Sequence, residues 1–249
     1  MPRLADQDAI RDILQRDPAW CVYALGDLSP RMFAKCAWFT PDLALVLHDY
    51  GTCILFAMGT ASLDEALAHV TYPVHLQVQQ DAFEHVARVA RIERPLQMWR
   101  MAWQRRSLPQ PDARARRLGA DDVAAVQKLY ADGEPTGESP DFFYPSMIAD
   151  GVFYGVYEAE VLTAVAGTHL VSREEGAAAL GNIYTRRDRR GRGLARVVTS
   201  AVLHELQDVE TIGLNVRADN AAALAVYAAL GFARHRPFYE AVAHQRSHP

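Results

Sequence analysis

The chain has 249 residues, of which 50% are hydrophobic, and its formal net charge is −4. These values describe a globular protein with ample chain for a core, and they disfavour a general nucleic-acid or membrane binder, because such surfaces are usually basic. The sequence shows no apolar run of about 18 residues and no leader-like segment. We therefore expect a cytoplasmic protein with no nucleic-acid or membrane partner.

The three cysteines, Cys21, Cys36 and Cys53, lie early in the chain without the paired spacing of a zinc site. A disulfide framework is also disfavoured, because such frameworks belong to small secreted domains. We expect reduced thiols and no bound metal.

Residues 1–108 alternate between helical and strand-like patterns and predict a mixed α/β domain. Residues 18–27 are either helical or irregular. Ser62 is the expected N-cap of the second helix, with Glu65 at the capping-box spacing. The predicted helices are 6–16, 62–70 and 81–92, and the predicted strands are 37–39, 43–48, 53–58, 74–78 and 96–103.

A linker with two prolines, Ser107 to Asp112, separates this part from a second predicted domain, residues 113–249. The second domain opens with a helix that ends near Ala131. In the loop that follows, the aromatic residues 142–144 either line a functional site or fasten the loop to the core. The remaining predicted strands are 152–158, 161–171, 179–185, 214–220 and 232–243, and Tyr239 in the last is a candidate site residue.

The basic segment Arg186 to Arg196 joins a strand to an amphipathic helix. Gly191 and Gly193 allow a sharp turn and the close approach of an anion to the backbone. The first N–H groups of the helix lack intrahelical partners, and the helix dipole favours a negative charge there. Arginine side chains add attraction for phosphate oxygens. The segment is therefore either a polyphosphate cradle or a solvated basic turn.

Two familiar phosphate loops do not fit this segment. No Gly-Lys-Ser/Thr follows, which excludes a P-loop, and Arg196 stands where a Rossmann fingerprint has its third glycine.

A second motif lies downstream of the basic segment. Asn220 is a good N-cap for the following helix, which carries Tyr227 and stops at Gly231, a natural C′ glycine before Phe232. The spacing is Asn220-x6-Tyr227-x3-Gly231-Phe232.

Together with Arg190-x-x-Gly193-x-Ala195, this motif resembles the GCN5-related N-acetyltransferase (GNAT) superfamily over residues 113–243. The resemblance implies a mixed, mainly antiparallel sheet flanked by helices, with acetyl-CoA or another acyl-CoA as co-substrate and no metal. The N-terminal α/β domain is similar to a reduced copy of this fold without the glycine loop, so we expect no acyl-CoA site there.

The resemblance also implies which residues hold the acyl-CoA. The backbone of a strand next to the loop would pair with the pantetheine arm, and the loop would hold the pyrophosphate. Arg186, Arg187 or Arg192 would reach the 3′-phosphate. The implied cofactor-binding residues are Ile183, Tyr184, Thr185, Arg190, Gly191, Arg192, Gly193, Leu194, Ala195, Asn220 and Tyr227.

The implied reaction is direct transfer of acetyl to a primary amine of a small molecule or amino-acid-like acceptor, and the amine must first lose a proton. Tyr227 is the candidate proton donor to the departing thiolate, the alternative being a core tyrosine. Asn182 stands where some members have a glutamate and is a candidate to position a water or the acceptor. The conceivable bases, each alternatively a surface residue, are Glu134, Glu138, Glu158 and His169.

Other functions stay open at this stage. Because no base is evident, one alternative is a non-catalytic acyl-CoA sensor or interaction module. Another is an acyltransferase for hydroxyls or peptide termini, which would share the same cofactor site. A homodimer is compatible with the sequence.

Overall fold

The computed structural model describes residues 3–49, 51–140 and 142–246. They form two compact units. Unit 1 comprises the described residues of Met1–Met101, Val216–Asn220 and Arg234–Pro249, and unit 2 those of Ala102–Asn215 and Ala221–Ala233. Within this described part, no helix is long and apolar enough to cross a membrane.

Both units combine helices with strands, and the predicted mixed α/β class with a mainly antiparallel sheet is confirmed. The strands are β1 (Arg3–Leu4), β2 (Cys36–Phe39), β3 (Ala44–Asp49), β4 (Thr52–Ala57), β5 (Val74–Val78), β6 (Ala90–Trp103), β7 (Ala115–Arg117), β8 (Tyr154–Glu158), β9 (Val161–Ser172), β10 (Ala177–Thr185), β11 (Thr211–Arg217) and β12 (Phe232–Gln245). The helices are α1 (Gln7–Leu14), α2 (Val22–Gly26), α3 (Pro30–Phe33), α4 (Leu63–Leu67), α5 (Gln80–Val89), α6 (Val123–Ala131), α7 (Ser146–Asp150), α8 (Leu194–Glu205) and α9 (Ala221–Ala229).

The two units share one strand plan. In unit 1 the order is β1-β2-β3-β4-β5-β12-β6, in which β1 to β4 are antiparallel and β4 pairs with β5 in parallel. In unit 2 the order is β7-β8-β9-β10-β11, in which β7 to β10 are antiparallel and β10 pairs with β11 in parallel. The interpretation of the N-terminal domain as a reduced copy of the second stays a prediction.

The last strand differs from the sequence-based expectation. Tyr239 pairs with Val78 of unit 1, and its ring stacks on Phe83 at 4.3 Å between centroids. Phe238 and Ala241 are buried in the same unit. The strand therefore completes the core of unit 1 instead of lining an acceptor pocket in the second domain. The boundaries of the two domains as folding units stay a prediction.

Ser62 also differs from its predicted role. It precedes α4, but its side chain makes no capping hydrogen bond to the helix. Its hydroxyl donates to Asp42 Oδ1 at 2.6 Å instead, and Asp42 also accepts from the backbone N–H of Ala61 at 2.7 Å and of Ser62 at 2.9 Å. A carboxylate from a distant loop therefore satisfies the donors at the start of this helix, a contact that local sequence does not reveal.

In unit 1 the carboxylate of Asp42 fills the segment before α4. The segment between β4 and α4 corresponds, in the shared strand plan, to the segment between β10 and α8. A Cβ on Gly59 in this segment would lie 2.3 Å from Asp42 Oδ2. The chain's own carboxylate thus fills the place where the second unit has its glycine loop.

We predict that Asp42→Ala lowers the free energy of unfolding by about 2 kcal/mol, because two N–H groups and a hydroxyl lose their acceptor. Urea unfolding followed by circular dichroism measures the change. The exposed Asp12→Ala is the matched control and should stay within about 0.5 kcal/mol of the parent. Equal effects of the two substitutions would contradict the assignment.

Candidate active site

The candidate site of unit 2 begins at an irregularity in β10. Gly181 pairs with Gly167 and Tyr184 with Val165, so β10 has one more residue than its partner over this stretch. Asn182 takes the extra position with a φ of 54°, in the left-handed region that non-glycine residues seldom adopt. The hydroxyl of Tyr130 donates to the Asn182 carbonyl at 2.9 Å. This hydrogen bond holds the bulge from the core side.

Beyond this bulge, β10 loses its partner on one edge. The parallel pairs with β11 run from Ala177–Thr211 to Leu180–Leu214 and stop there, while β10 continues along β9 to Thr185. The backbone from Gly181 to Thr185 therefore offers peptide groups on the side that faced β11. A ligand can add to such an edge as another strand would.

The segment after β10 presents a row of backbone donors. None of the N–H groups from Gly191 to Arg196 donates a hydrogen bond within the part of the chain that the structure describes. Gly191 and Gly193 both have a φ of 75°, and a Cβ built on either would meet no atom within 4 Å. The row continues into the first turn of the 12-residue helix α8. Backbone donors and helix dipole together form an anion-binding geometry.

Most arginines around this row are already paired with carboxylates. Arg186 contacts Asp188 at 3.0 Å, Arg189 contacts Glu158 at 2.8 Å, and Arg187 contacts Asp132 at 3.6 Å. Arg190 donates to both oxygens of Glu138, at 2.9 and 3.2 Å. The positive charge of the segment is thus largely neutralised by the protein itself.

Arg192 and Arg196 are the exceptions. Both are exposed, and neither forms a hydrogen bond or ion pair within residues 3–49, 51–140 and 142–246. Among the three residues that the sequence offered for the 3′-phosphate, only Arg192 thus has a side chain without a protein partner. Arg196 was not among the three, although its position in the first turn of α8 was visible in the sequence.

The loop that precedes α7 is fastened to the same segment. Asp132 Oδ2 accepts from the hydroxyl of Tyr184 at 3.0 Å and from the backbone N–H of Arg187 at 2.9 Å. The backbone hydrogen bond from Arg187 is the main reason that the pKa of Asp132 is lowered. In the same loop, Thr136 donates to Glu138, which holds Arg190. Sequence reasoning missed Asp132 because only the fold brings it to β10.

Tyr227 lies on α9 with its ring edge-on to Phe232, 6.1 Å between centroids. Burial raises the pKa of its phenol above the ordinary value of about 10, so the group is protonated at neutral pH. Within the described residues, no hydrogen bond from the hydroxyl occurs. Asn220 directly precedes the helix, as its predicted N-cap role requires, and Gly231 follows with a φ of 91°.

Asn182 is the other predicted catalytic residue. Its side chain is buried, and its Nδ2 donates to Met147 Sδ at 3.5 Å. Its Oδ1 is also buried and accepts no hydrogen bond from any described residue. A buried carbonyl oxygen without a donor is costly, so this atom is suited to accept from a ligand or a water.

The candidate bases differ in their surroundings. Glu138 and Glu158 are held by Arg190 and Arg189, and Glu134 is exposed in a short 3-10 turn. His169 lies against the bulge, because a Cβ on Gly181 would meet its Cε1 and Nε2 at 2.3 Å. Of these four candidate bases, His169 is the one that the structure packs against β10.

The aromatic residues of the loop favour one of the two sequence-based interpretations. Phe143 packs edge-on against Tyr130 at 5.1 Å and against Phe153 at 6.3 Å. It belongs to the core of unit 2, so it fastens the loop. Among the described residues, no three His, Cys, Asp or Glu side chains lie together as a metal site requires.

Comparisons with known proteins agree with this geometry. Residues 123–232 match the model of the Acetyltransferase (GNAT) family. A mycothiol acetyltransferase from Tsukamurella paurometabola is 36% identical over 100 residues, which are 38% of this chain and 34% of that protein. The alignment therefore spans about a third of that relative.

Two solved structures share the fold over most of the chain. One from Novosphingobium aromaticivorans, named as a GNAT-family acetyltransferase, has a TM-score of 0.68 at 20% identity and covers 91% of this chain and 97% of its own. A GCN5-related N-acetyltransferase from Kribbella flavida has a TM-score of 0.61 at 16% identity, with 93% and 96% covered. The resemblance drawn from the two motifs is confirmed for residues 123–232.

We predict that Asp132→Asn loosens the segment after β10, because the amide accepts the Arg187 N–H more weakly than the carboxylate does. Hydrogen exchange at residues 184–190 should be about tenfold faster at neutral pH, equivalent to roughly 1.4 kcal/mol. The exposed Asp121→Asn is the control and should leave the exchange unchanged. Since the pKa of Asp132 is lowered, its contribution is present at neutral pH and is lost as the pH falls through that lowered pKa.

Proposed function

Because residues 123–232 form a GNAT acetyltransferase domain, we propose that the protein transfers acetyl from acetyl-CoA to a primary amine of a small, amino-acid-like acceptor. The observation that carries this proposal is the row of backbone N–H groups from Gly191 to Arg196, which donate to no described acceptor. Such a row, continued by a helix N-terminus, suits the pyrophosphate of acyl-CoA.

The residues present fit the co-substrate along its length. The open space at Gly191 and Gly193 admits a phosphate against the backbone. Ile183, Tyr184 and Thr185 would pair with the pantetheine amides through their backbone, since the side chain of Tyr184 is bound to Asp132. Arg190 to Ala195 would hold the pyrophosphate through the main chain.

The exposed arginines Arg192 and Arg196 would supply charge to the phosphates. Their guanidinium groups form no ion pair with a described carboxylate, so binding a phosphate would break no ion pair. Arg190 acts differently, because its guanidinium is bound to Glu138 and to the Thr185 carbonyl. Arg190 would position the loop through its side chain, and its backbone N–H already donates to the Arg187 carbonyl at 3.4 Å.

Tyr227 would act on the leaving sulfur. A cysteine-like thiol has a pKa of about 8.5, below that of a phenol, so full proton transfer from Tyr227 to the thiolate is uphill. A hydrogen bond from the phenol stabilises the developing negative charge without that cost. The proton released by the attacking amine can then complete the thiol.

Asn182 and His169 are the groups best placed on the acceptor side. The buried Oδ1 of Asn182 would accept from the amine or from a water that removes its proton. His169, beside Gly181, would be the base behind that water. Holding both reactants along β10 supplies further acceleration through orientation.

We predict that Gly193→Asp weakens acetyl-CoA binding roughly 100-fold, because a carboxylate enters the anion site and a left-handed φ is strained for aspartate. Isothermal titration with acetyl-CoA measures this. Gly51→Asp is a matched control, since Gly51 has a φ of 73° and no atom within 4 Å of a built Cβ. Weak binding by the parent, or equal binding by both variants, would overturn the proposal.

We predict that Tyr227→Phe lowers kcat about 100-fold with an amine panel and leaves the Kd for acetyl-CoA within about threefold. Tyr157→Phe, which removes a hydroxyl bound to Asp122 instead, is the control. The assay follows release of free CoA thiol. A parent that binds acetyl-CoA but acetylates no amine would favour the sensor function. The absence of Asp and Glu from β10 is consistent with that alternative.

A further inference from the structure

Arg100 is the most unusual side chain outside the proposed active site. It lies on β6 in unit 1 with 0% of its surface exposed. Its Nε, Nη1 and Nη2 atoms donate no hydrogen bond to any residue of the described chain. Buried arginines are almost always paired, because an unpaired buried charge is strongly unfavourable. Among the described residues, the N–H groups of Arg100 therefore lack the hydrogen-bond acceptor that a buried arginine normally has.

Three aromatic rings surround the guanidinium. Its Cζ lies 4.5 Å from the ring centroid of Tyr23, 5.2 Å from Trp20 and 5.5 Å from Phe238. Ring faces attract the cation but do not accept its in-plane N–H groups as a carboxylate does. The indole Nε1 of Trp20 is likewise buried without an acceptor among the described residues. This cluster of Arg100, Trp20, Tyr23 and Phe238 thus combines unpaired N–H donors with the apolar faces of three aromatic rings.

The neighbouring carboxylates do not supply the missing acceptor. Asp17 is held by His235 at 2.6 Å and by Arg236 at 2.8 and 3.0 Å. Glu240 and Asp17 influence Arg100 through their charge. Burial is the main cause that lowers the pKa of Arg100, and the nearby negative charges oppose it. An arginine stays protonated under these conditions.

We propose that Arg100, with Trp20, Tyr23 and Phe238, forms a recognition site in unit 1 for a monoanionic carboxylate attached to a small apolar body. The planar guanidinium edge matches a carboxylate in a bidentate pair. Arg100 supplies one positive charge, and the nearby carboxylates of Asp17 and Glu240 would repel a phosphate dianion. The aromatic walls favour an apolar body over a bare inorganic ion.

Tyr23 is the entrance to this site. Trp20 and Phe238 are fully buried, whereas Tyr23 is partly exposed on α2, a helix of five residues without a side-chain cap. A ligand would reach the guanidinium edge when the Tyr23 side chain rotates away from Arg100, which its ring contacts at 4.5 Å. The bound carboxylate takes the place that the phenol ring covers in this structure.

The test titrates the full-length protein with sodium acetate, isovalerate and benzoate at constant ionic strength, followed by calorimetry and tryptophan fluorescence. Benzamide and sodium phosphate are the controls for charge and for anion type. We expect saturable binding of the apolar carboxylates, and binding of benzamide and phosphate that is at least about tenfold weaker. Absence of saturable binding by all three carboxylates, or equal binding of phosphate, overturns the proposal.

Two variants separate the site from a structural role. Arg100→Met should abolish carboxylate binding and raise the melting temperature of the free protein, since an apolar side chain replaces an unpaired buried charge. Trp20→Phe keeps the ring and removes the indole N–H, so it should weaken binding severalfold. Unchanged carboxylate binding in Arg100→Met, or a lower melting temperature for it, contradicts the proposal.

The acetyl-CoA titration of Arg100→Met keeps this inference distinct from the proposed function. Its Kd should equal that of the parent, because the cluster lies in unit 1. An amine acceptor without a carboxylate should also be acetylated by Arg100→Met at the rate of the parent.

Discussion

The extra residue in β10 is the constraint on which the active site of unit 2 depends. Because Asn182 adopts a left-handed φ, the strand turns away from β11 after Leu180 while it stays paired with β9. That departure leaves one edge of the backbone for a ligand. The strained conformation is maintained by Tyr130 at the Asn182 carbonyl. Strain of this kind persists only where the surroundings fix it, as they do at functional sites.

The segment between the fourth strand of each unit and the following helix differs between the two units. In unit 2 the segment between β10 and α8 keeps its backbone donors open. In unit 1 the segment between β4 and α4 is occupied by the carboxylate of Asp42. In the first unit an internal carboxylate satisfies the donors, whereas in the second no described residue accepts from the N–H groups of Gly191 to Arg196. The two units thus share a strand order and differ in what their donors at this place bind.

Most arginines of the segment after β10 form ion pairs with carboxylates of the protein, so the number of arginines overstates the positive charge of this segment. The arginines nearest β10 hold Asp132, Glu138 and Glu158, and these contacts fasten the neighbouring loop and strand to the cradle. Within the described residues, Arg192 and Arg196 are exposed and form no ion pair. The arginines of this segment thus divide into a paired and an unpaired set. The buried Arg100 in unit 1 is a different case, since its partners are aromatic rings.

The sequence alone determined the features that arise from neighbouring residues. The periodicity of α8, the glycines before it, the strand at 74–78 and the spacing from Asn220 to Phe232 are local, and so the fold class and the family match of residues 123–232 were predictable. Helix 62–70 was predicted longer than α4 is. Strand β6 begins at Ala90, earlier than predicted, because pairing in the sheet overrides local preference there.

Only the tertiary structure decided which side chains meet. The contacts of Asp42 with Ser62, of Asp132 with Tyr184 and of Arg100 with Trp20 join residues far apart in the chain. The same holds for the last strand, which joins unit 1 because Phe238, Ala241 and Ala243 are buried in that core. Hydrogen bonds, ion pairs and burial depend on distance in space. Sequence patterns report only the residues that are close along the chain.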